Sequence, residues 1–397
     1  MGREQVADKR TAAALGLLVK INAVSFLSQI VQIGTIPPLL ALRLSAAHQS
    51  ALTIGAVAAA PWIAILSMGQ WAPCVLSRCG FVTTNRIALG LSVVAVVSAL
   101  PETNPILLFT SNFVFGIGLI LRWVACDTWI VWAAPNHIRG RAIGTHETLM
   151  GCGIAAGPLV IAITGYLGTR PLWSCIGLLI LSNAALALLR GNDGHPDMPE
   201  RTNRLGALQI VPTALTAGFV AGFVETSSIS FLPLLSTRHV LALGVTAVLG
   251  GFGAGGTILQ MPLGWLADTV GIRVMQFLTA AVVAIGALAL PVVGHHSGFL
   301  LPLLFIWGGA AGGMNTLAVI EVGQRVDGPG MSTGLMAVAL AYTVGGVTGP
   351  VLTGCVTSRL PAGGLAIGSV AAVMAFFGAC AVTAAARRQV IRAAQAA

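Results

Sequence analysis

Long apolar runs separated by short polar breaks dominate this chain of 397 residues. A window of about 19 residues predicts helical spans that mostly end at proline, glycine or charge. Twelve are predicted, at 14–42, 50–72, 82–100, 106–132, 142–165, 171–190, 207–235, 240–266, 272–293, 299–321, 331–357 and 362–386. Runs of this length can cross a bilayer as helices. The alternation typical of a membrane β-barrel is absent from the sequence, so the pattern predicts an all-α membrane protein.

The longest polar stretch, residues 191–204, falls almost at the midpoint. It predicts a cytosolic linker over 191–206 between two six-helix bundles, at 1–190 and 207–397. A repeat supports this division, because Arg78-Cys-Gly80 recurs as Thr269-Val-Gly271 at an offset of 191 residues. Two halves with matching landmarks are typical of transporters.

A Gly-x-x-x-Gly-Pro motif also occurs twice, 192 residues apart, first as Gly153, Gly157 and Pro158 and then as Gly345, Gly349 and Pro350. Glycines at this spacing let helices approach closely, and a following proline can bend the span. Spans 5 and 11 are therefore predicted to pack against the opposite half, either as static contacts or as hinges.

Charge is scarce, and its placement predicts the orientation in the membrane. Charged residues make up 8% of the chain, against about 25% in average proteins. Of 21 Lys and Arg, 15 fall in segments that the alternation makes cytosolic, four in external loops and two inside spans. This bias predicts that both termini are cytosolic. Arginine- and alanine-rich composition suggests a bacterial source, which favours the plasma (inner) membrane.

Ionisable groups inside a bilayer are unfavourable by roughly 2.5–3.5 kcal/mol, so they usually face a cavity or a partner. Arg122 lies deep in span 4, and Gly118, one turn earlier, is expected to leave room beside it. Arg122 could bind an anionic substrate group, modulate a nearby carboxylate, or form a structural ion pair. Glu225 lies near the middle of span 7, followed by four hydroxyl residues (Thr226, Ser227, Ser228 and Ser230) that suggest a polar wall. Glu225 would suit proton coupling or direct binding of a cationic substrate.

Other charges are weaker candidates. Asp127 and Glu147, toward the cytosolic ends of spans 4 and 5, are second choices for proton coupling, and His146 could take part in proton traffic. Glu321 and Arg325 are four residues apart at the end of span 10, which predicts a stabilising ion pair. The seven cysteines show no zinc-ligand spacing with histidine, so no metal and no cofactor are expected.

Two motifs resemble those of a known family. Gly264-Trp-Leu-Ala-Asp268-Thr-Val-Gly271-Ile-Arg273 resembles the cytosolic-loop signature of the major facilitator superfamily. The equivalent loop after span 2 has Ser77 where the signature has its acid. The run from Gly144 through Gly153, Gly157 and Pro158 resembles the span 5 signature of drug:proton antiporters, and Arg122 lies where the family often has a buried arginine.

The resemblance implies a fold of twelve transmembrane helices in two pseudo-symmetric six-helix bundles, and a monomer. In this family spans 1, 4, 7 and 10 line the cavity, which gives a candidate cavity set of Gln29, Gln32, Arg122, Glu225 and Asn315. Asp268 and Arg273, in the loop between spans 8 and 9, are predicted to form a conformational latch with Arg139 or Arg141 in the loop between spans 4 and 5.

The function predicted from these observations is secondary active transport by alternating access. Proton-coupled efflux of a small amphipathic compound is the first choice, and proton-coupled uptake of an anionic metabolite or metal chelate is the alternative. No phosphate-binding G-x-x-x-x-G-K-[ST] loop is present in the sequence, and no motif for nucleic acid. An enzyme is not expected, since the one histidine pair, His295-His296, lacks acidic neighbours. A non-transporting membrane receptor of the same fold is a remote alternative.

Overall fold

The computed structural model describes residues 2–100, 104–189, 194–196, 212–237, 243–326, 329–361 and 363–396. Regular secondary structure within these ranges is helical. Fourteen α-helices succeed one another there: α1 Gly2–Gln29, α2 Ile36–Ala46, α3 Ala51–Met68, α4 Ala72–Ser98, α5 Pro105–Ala133, α6 Arg139–Thr164, α7 Arg170–Ala185, α8 Pro212–Thr237, α9 Val245–Ile258, α10 Gln260–Val270, α11 Ile272–Val293, α12 Ser297–Arg325, α13 Pro329–Thr357 and α14 Gly364–Ala396.

Each predicted span corresponds to helix in the described part of the chain. By length and composition alone, nine helical segments within the described ranges are long and apolar enough to cross a membrane. Two differences separate nine from twelve. Spans 2 and 3 are joined in one 48-residue segment, Ala51–Ser98. Spans 6 and 8 form shorter helices: span 6 corresponds to α7, which has 16 residues. Span 8 is divided at Leu259 into α9 and α10.

The two turns that the sequence repeat marks share a backbone conformation. Gly80 has φ 76° and ψ 173° inside α4, where it separates spans 2 and 3. Gly271, with φ 99°, separates α10 from α11. Positive φ strains residues that carry a Cβ atom. Glycine is therefore required at both turns, and the repeated tripeptides reflect a repeated backbone geometry.

The chain divides into two compact units. Unit 1 comprises Met1–His48 and Ala60–Glu200, and unit 2 comprises Gln49–Ala59 and Arg201–Ala397. The segment 49–59 groups with unit 2 because Gly55 packs on Pro350 and Gly354 packs on Ala51. Of the predicted linker, only residues 194–196 are described, and the amide of Phe81 donates to the Gly194 carbonyl at 3.2 Å. The predicted bundle boundaries at 190 and 207 stay a prediction.

In unit 1 a π-helical turn, Ile30–Thr35, joins α1 to α2, and all six residues are buried. The apolar pattern did not predict it, although Pro37 and Pro38 explain it. Their nitrogens carry no hydrogen, so the carbonyls one turn earlier lose their helical partners. The Thr35 hydroxyl lies 2.8 Å from the Ile30 carbonyl oxygen and 3.0 Å from that of Gly157 on α6.

The repeated glycines face helices of their own unit. A Cβ atom at Gly153 would lie 2.9 Å from the Phe26 carbonyl oxygen, and one at Gly157 would overlap the backbone of Gly34. In unit 2, Gly345 and Gly349 are pressed in the same way against the backbone of α8. The glycines of the motif are therefore covered by α1, the π turn and α8. The predicted contact of span 11 with the other half of the sequence is present, since Pro350 and Gly354 pack on Gly55 and Ala51 of span 2. The same contact for span 5 stays a prediction. The hinge role of Pro158 and Pro350 stays a prediction.

Unit 2 has a second close crossing, which the sequence motifs did not mark. A Cβ atom at Gly255 on α9 would overlap the Phe305 carbonyl, and one at Gly308 on α12 would overlap the Phe252 carbonyl. Trp307 fills the space beside this crossing, and its Nε1 donates to the Val283 carbonyl at 3.0 Å. Close backbone contact therefore holds α9 on α12 as it holds α6 on the π turn.

Candidate functional site

Arg122 is fully buried in unit 1, and neutral groups surround its guanidinium. Nε donates to Gln32 Oε1 and Nη2 donates to Gln29 Oε1, both at 2.6 Å. Nη1 lies 3.9 Å from the Met150 sulfur. Within the described part of unit 1, no carboxylate lies within 4.0 Å of this charge. A guanidinium has five N–H donors, so Arg122 retains hydrogen-bonding capacity on the Nη1 side.

The position of Gln32 is fixed by Ser92, which is itself packed against Gly118. A Cβ atom at Gly118 would lie 2.6 Å from both the Ala88 carbonyl oxygen and the Ser92 Oγ, so α5 meets α4 here. Ser92 Oγ in turn accepts a hydrogen bond from Gln32 Nε2 at 2.9 Å. The expectation that Gly118 leaves room beside Arg122 is wrong, since α4 occupies that space. Gly118 instead brings Ser92 to the amide that holds Arg122.

A second polar group in unit 1 centres on His146, whose side chain is 2% exposed. His146 Nδ1 lies 2.7 Å from Asn22 Oδ1 on α1, and Nε2 lies 3.2 Å from Asp127 Oδ1 on α5. Asp127 is 41% exposed. Glu147, the next residue on α6, is also exposed. The second-choice carboxylates therefore flank one buried histidine, and sequence reasoning missed the part of Asn22.

In unit 2, Glu225 is half-buried where α8, α12 and α13 meet. Its Oε2 accepts a hydrogen bond from the Tyr342 hydroxyl at 2.5 Å. Its Oε1 faces Gly312, where a Cβ atom would lie 3.1 Å from this oxygen and 3.4 Å from Gln260 Nε2. Within the described part of unit 2, no Lys, Arg or His lies within 4.0 Å of the carboxylate. Sequence reasoning missed Tyr342, which is 117 residues away.

The hydroxyls that follow Glu225 do not form the predicted polar wall around it. Thr226 and Ser228 donate to the carbonyls of Gly222 and Val224, at 2.7 and 2.6 Å, and Ser230 donates to that of Thr226. Hydroxyls in a helix commonly bond back to its own carbonyls in this way. Tyr342 therefore supplies the hydroxyl that contacts Glu225.

The structure brings together three of the five predicted cavity residues. Gln29, Gln32 and Arg122 meet in unit 1, with exposures of 2%, 1% and 0%. Glu225 and Asn315 lie in unit 2, on α8 and α12, and both are partly buried. The described conformation covers the first three side chains. Their role in a substrate cavity stays a prediction.

Glu321 is the centre of a charged cluster at the end of α12. Its fully buried carboxylate lies 3.0 Å from Arg325 Nη1, which confirms the predicted pair four residues apart, and 3.9 Å from Arg273 Nη2. Thr213 Oγ1 and Gln276 Nε2 donate to it at 2.6 and 2.7 Å. The carboxylate therefore connects α8, α11 and α12, three helices that are distant in sequence.

Replacing Glu321 should destabilise unit 2. In Glu321→Gln, both arginines lose their counter-charge and two donors lose an ionised acceptor. Since Arg273 and Arg325 are 40% and 37% exposed, water can solvate them, and we expect a loss of about 1–3 kcal/mol. Thermal unfolding of the purified protein measures this, with Arg359→Gln, an exposed single-charge change, as the control. An unfolding temperature equal to that of the control would contradict the prediction.

The residues of the predicted latch are at the surface of their units. Asp268 is exposed near the end of α10 and forms no ion pair within the described part of unit 2. Arg273 approaches Glu321 rather than Asp268. Arg139 and Arg141 are exposed at the start of α6 in unit 1. A latch between these residues stays a prediction.

Metal-ligating side chains are not clustered in the residues that the structure describes. No group of three or more His, Cys, Asp or Glu there could hold a metal ion. The cysteines of these ranges are free thiols.

Sequence comparison identifies relatives over most of the chain. The sequence profile of the Major Facilitator Superfamily matches residues 21–350. YfkF of Bacillus subtilis (strain 168), described as an uncharacterized MFS-type transporter, is 23% identical over 351 residues, covering 85% of this chain and 87% of YfkF. An uncharacterized MFS-type transporter of Enterobacter sp. (strain 638) is 25% identical over 257 residues, covering 62% of this chain and 64% of that protein.

Solved structures share the fold. The crystal structure of the nucleoside transporter NupG superposes with a TM-score of 0.73 at 15% identity, covering 91% of this chain and 98% of NupG. A bacterial homologue of the human lysosomal transporter Spinster gives a TM-score of 0.68 at 15% identity, covering 95% of this chain and 96% of that chain. At these identities the likeness concerns the arrangement of helices and not the substrate.

Proposed function

Because this chain belongs to the Major Facilitator Superfamily of transporters, we propose that it exports a small amphipathic compound in exchange for protons. Its relatives are MFS-type transporters, so it is a multi-pass membrane transporter of small molecules and not an enzyme. The proposal concerns the coupling ion, the direction and the substrate class. It also includes a monomer in a bacterial plasma membrane. Both termini are placed in the cytosol, because the distribution of arginines favours this orientation.

The observation that carries the proposal is the environment of Glu225. This carboxylate lies within an apolar helix, with a tyrosine hydroxyl as its hydrogen-bond donor and no cation within 4.0 Å in the described part of unit 2. A carboxyl group in such a place binds and releases a proton as its access to water changes. Alternating access changes that exposure in each cycle, so proton release can be linked to substrate movement.

A specific observation also supports the second candidate, proton-coupled uptake of an anionic compound. Arg122 is a buried cation whose hydrogen-bond partners are two neutral amides and the Met150 sulfur. An incoming carboxylate or chelate would supply the counter-charge that is absent within 4.0 Å of Arg122 in the described part of unit 1. The two candidates predict opposite proton movements when substrate enters a vesicle.

The experiment uses the purified full chain in liposomes loaded with the pH dye pyranine, to which ethidium or citrate is added outside. Exchange predicts that ethidium entry raises the internal pH. We expect Glu225→Gln to slow this change about tenfold or more, equal to about 1.4 kcal/mol. Ser228→Ala is the matched control, because its hydroxyl is bound to its own helix.

Three outcomes would overturn the proposal in different ways. An undiminished pH change in Glu225→Gln would exclude this residue as the coupling group. A fall in internal pH on citrate addition, without a response to ethidium, would favour the second candidate. Saturable ethidium binding without any flux would indicate a receptor.

A further inference from the structure

The His146 ring joins three helices of unit 1. It projects from α6 and is nearly inaccessible, with Asn22 of α1 at Nδ1 and Asp127 of α5 at Nε2. Asn22 is 8% exposed, whereas 41% of the Asp127 side chain is exposed. One end of this row of groups is therefore sealed in the helix packing and the other end reaches the surface.

The two contacts of the His146 ring require one proton more than a neutral histidine and an ionised aspartate carry. With the carbonyl oxygen of Asn22 as its acceptor at 2.7 Å, Nδ1 carries a hydrogen. A neutral ring would then present the lone pair of Nε2 to Asp127 Oδ1 at 3.2 Å. If Asp127 were ionised, two acceptors would face each other. The contact becomes a hydrogen bond when a proton lies on either Nε2 or the carboxyl group.

We propose that His146 and Asp127 together bind one exchangeable proton, and that this proton ties α1 and α6 to α5. When it is bound, the row Asn22–His146–Asp127 is continuous across the three helices. When it leaves through the exposed side of Asp127, the link to α5 is broken. This deepens the proposed function, on which its role in transport rests, by giving unit 1 a proton site separate from Glu225 in unit 2.

Other charges near the pair set its electrostatic surroundings. Asp127, His146 and Arg122 are all close enough to act on Glu147, the next residue of α6. On the other described side chains of the helices and turns packed against α6, the charged or titratable groups are Lys20 on α1, His137 in the turn before α6 and Arg170 at the start of α7. Two buried thiols, Cys126 beside Asp127 on α5 and Cys175 on α7, complete this set. Arg139 and Arg141 lie in the first turn of α6 itself. The π turn carries no ionisable residue.

The corresponding end of unit 2 has a different chemistry. Glu321 near the end of α12 is neutralised by two arginines, which remain protonated throughout the physiological range. Asp127, toward the end of α5, is paired with a histidine where Glu321 is paired with arginines. Histidine side chains in general exchange a proton near neutral pH. The cluster in unit 1 therefore pairs its carboxylate with a histidine, and the cluster in unit 2 pairs its carboxylate with arginines that stay charged.

Thermal unfolding of the purified full chain between pH 5.5 and 8.5 tests the proposal without any substrate. Wild-type protein should lose its link as the pH rises. In Asp127→Asn, the new amide can donate to a neutral Nε2, so the link no longer needs the proton. In His146→Gln, the glutamine amide donates to Asp127 at every pH. Between pH 5.5 and 8.5, we expect the unfolding temperature of wild type to fall by about 2 °C or more beyond the fall seen in either variant.

His137→Gln is the matched control, because this exposed histidine lies outside the pair, and it should keep the wild-type slope. Equal slopes for wild type and Asp127→Asn would overturn the proposal, as would loss of the slope in His137→Gln. If either pair variant fails to fold, the other still gives the comparison. Since this test reads stability, it can succeed when Glu225→Gln shows that the proposed coupling is wrong, and it can fail when that coupling is right.

Discussion

Arg122→Met is expected to stop transport while leaving the protein at least as stable as wild type. The substitution removes a fully buried charge that has only neutral hydrogen-bond partners in the described part of unit 1. Burying an ion without a counter-charge is unfavourable by several kcal/mol. Against this gain, Gln29 and Gln32 each lose a donor, at roughly 1–3 kcal/mol per buried acceptor. The two effects nearly offset each other or favour the variant.

Because burying the Arg122 charge lowers the stability of the protein, we infer that transport requires this charge. Thermal unfolding and the liposome assay, applied to the same preparation, separate the two effects. Arg122→Lys is the matched control: it keeps the charge but lacks the planar donor pair that reaches both glutamines, so it should transport poorly and lose stability. A fall of more than about 5 °C in Arg122→Met, with transport retained, would show that the residue is structural.

Gly157→Ala is expected to destabilise unit 1 and to lower the yield of folded protein. The added methyl would overlap the backbone of Gly34 in the π turn, and backbone cannot turn aside as a side chain does. Overpacking a core is commonly unfavourable by about 1–3 kcal/mol, and moving two helices apart would add the loss of the Thr35 contact with the Gly157 carbonyl. The yield of monodisperse protein after size-exclusion chromatography measures the effect.

Gly144→Ala is the matched control for this prediction. It lies on the same helix, α6, and nothing lies within 4 Å of a Cβ atom there. Since alanine favours helix over glycine by roughly 1 kcal/mol, this variant should be produced as well as wild type. A normal yield of Gly157→Ala would show that the close crossing of α6 and the π turn is not required.

Features that depend on local sequence were predictable. The Glu321–Arg325 pair follows from a spacing of four residues on a helix, and its geometry is confirmed. The glycines at 80 and 271 could be matched from the sequence because both turns require a residue with positive φ. The helices of the described ranges followed from hydropathy because a membrane helix must be apolar along its whole length.

Partners that are distant in sequence were not predictable. Gln29 and Arg122 are 93 residues apart, and Asn22 and His146 are 124 apart. Hydropathy shows that these polar groups are buried but not which helices bring them together. Gly118 illustrates the difficulty, since the same small residue can leave a space or admit a neighbouring helix. The π turn, in contrast, had a signal in Pro37 and Pro38 that hydropathy alone did not use.

The π turn at Ile30–Thr35 gives the first span one residue more than a regular helix would contain over the same stretch. Deleting one of these six residues would restore α-helical spacing and rotate the preceding residues about the axis by about 100°. With Thr35 held at Gly157, this rotation would turn Gln29 away from Arg122. A one-residue alignment gap at this position in a relative therefore marks a first span that presents different side chains to the buried arginine.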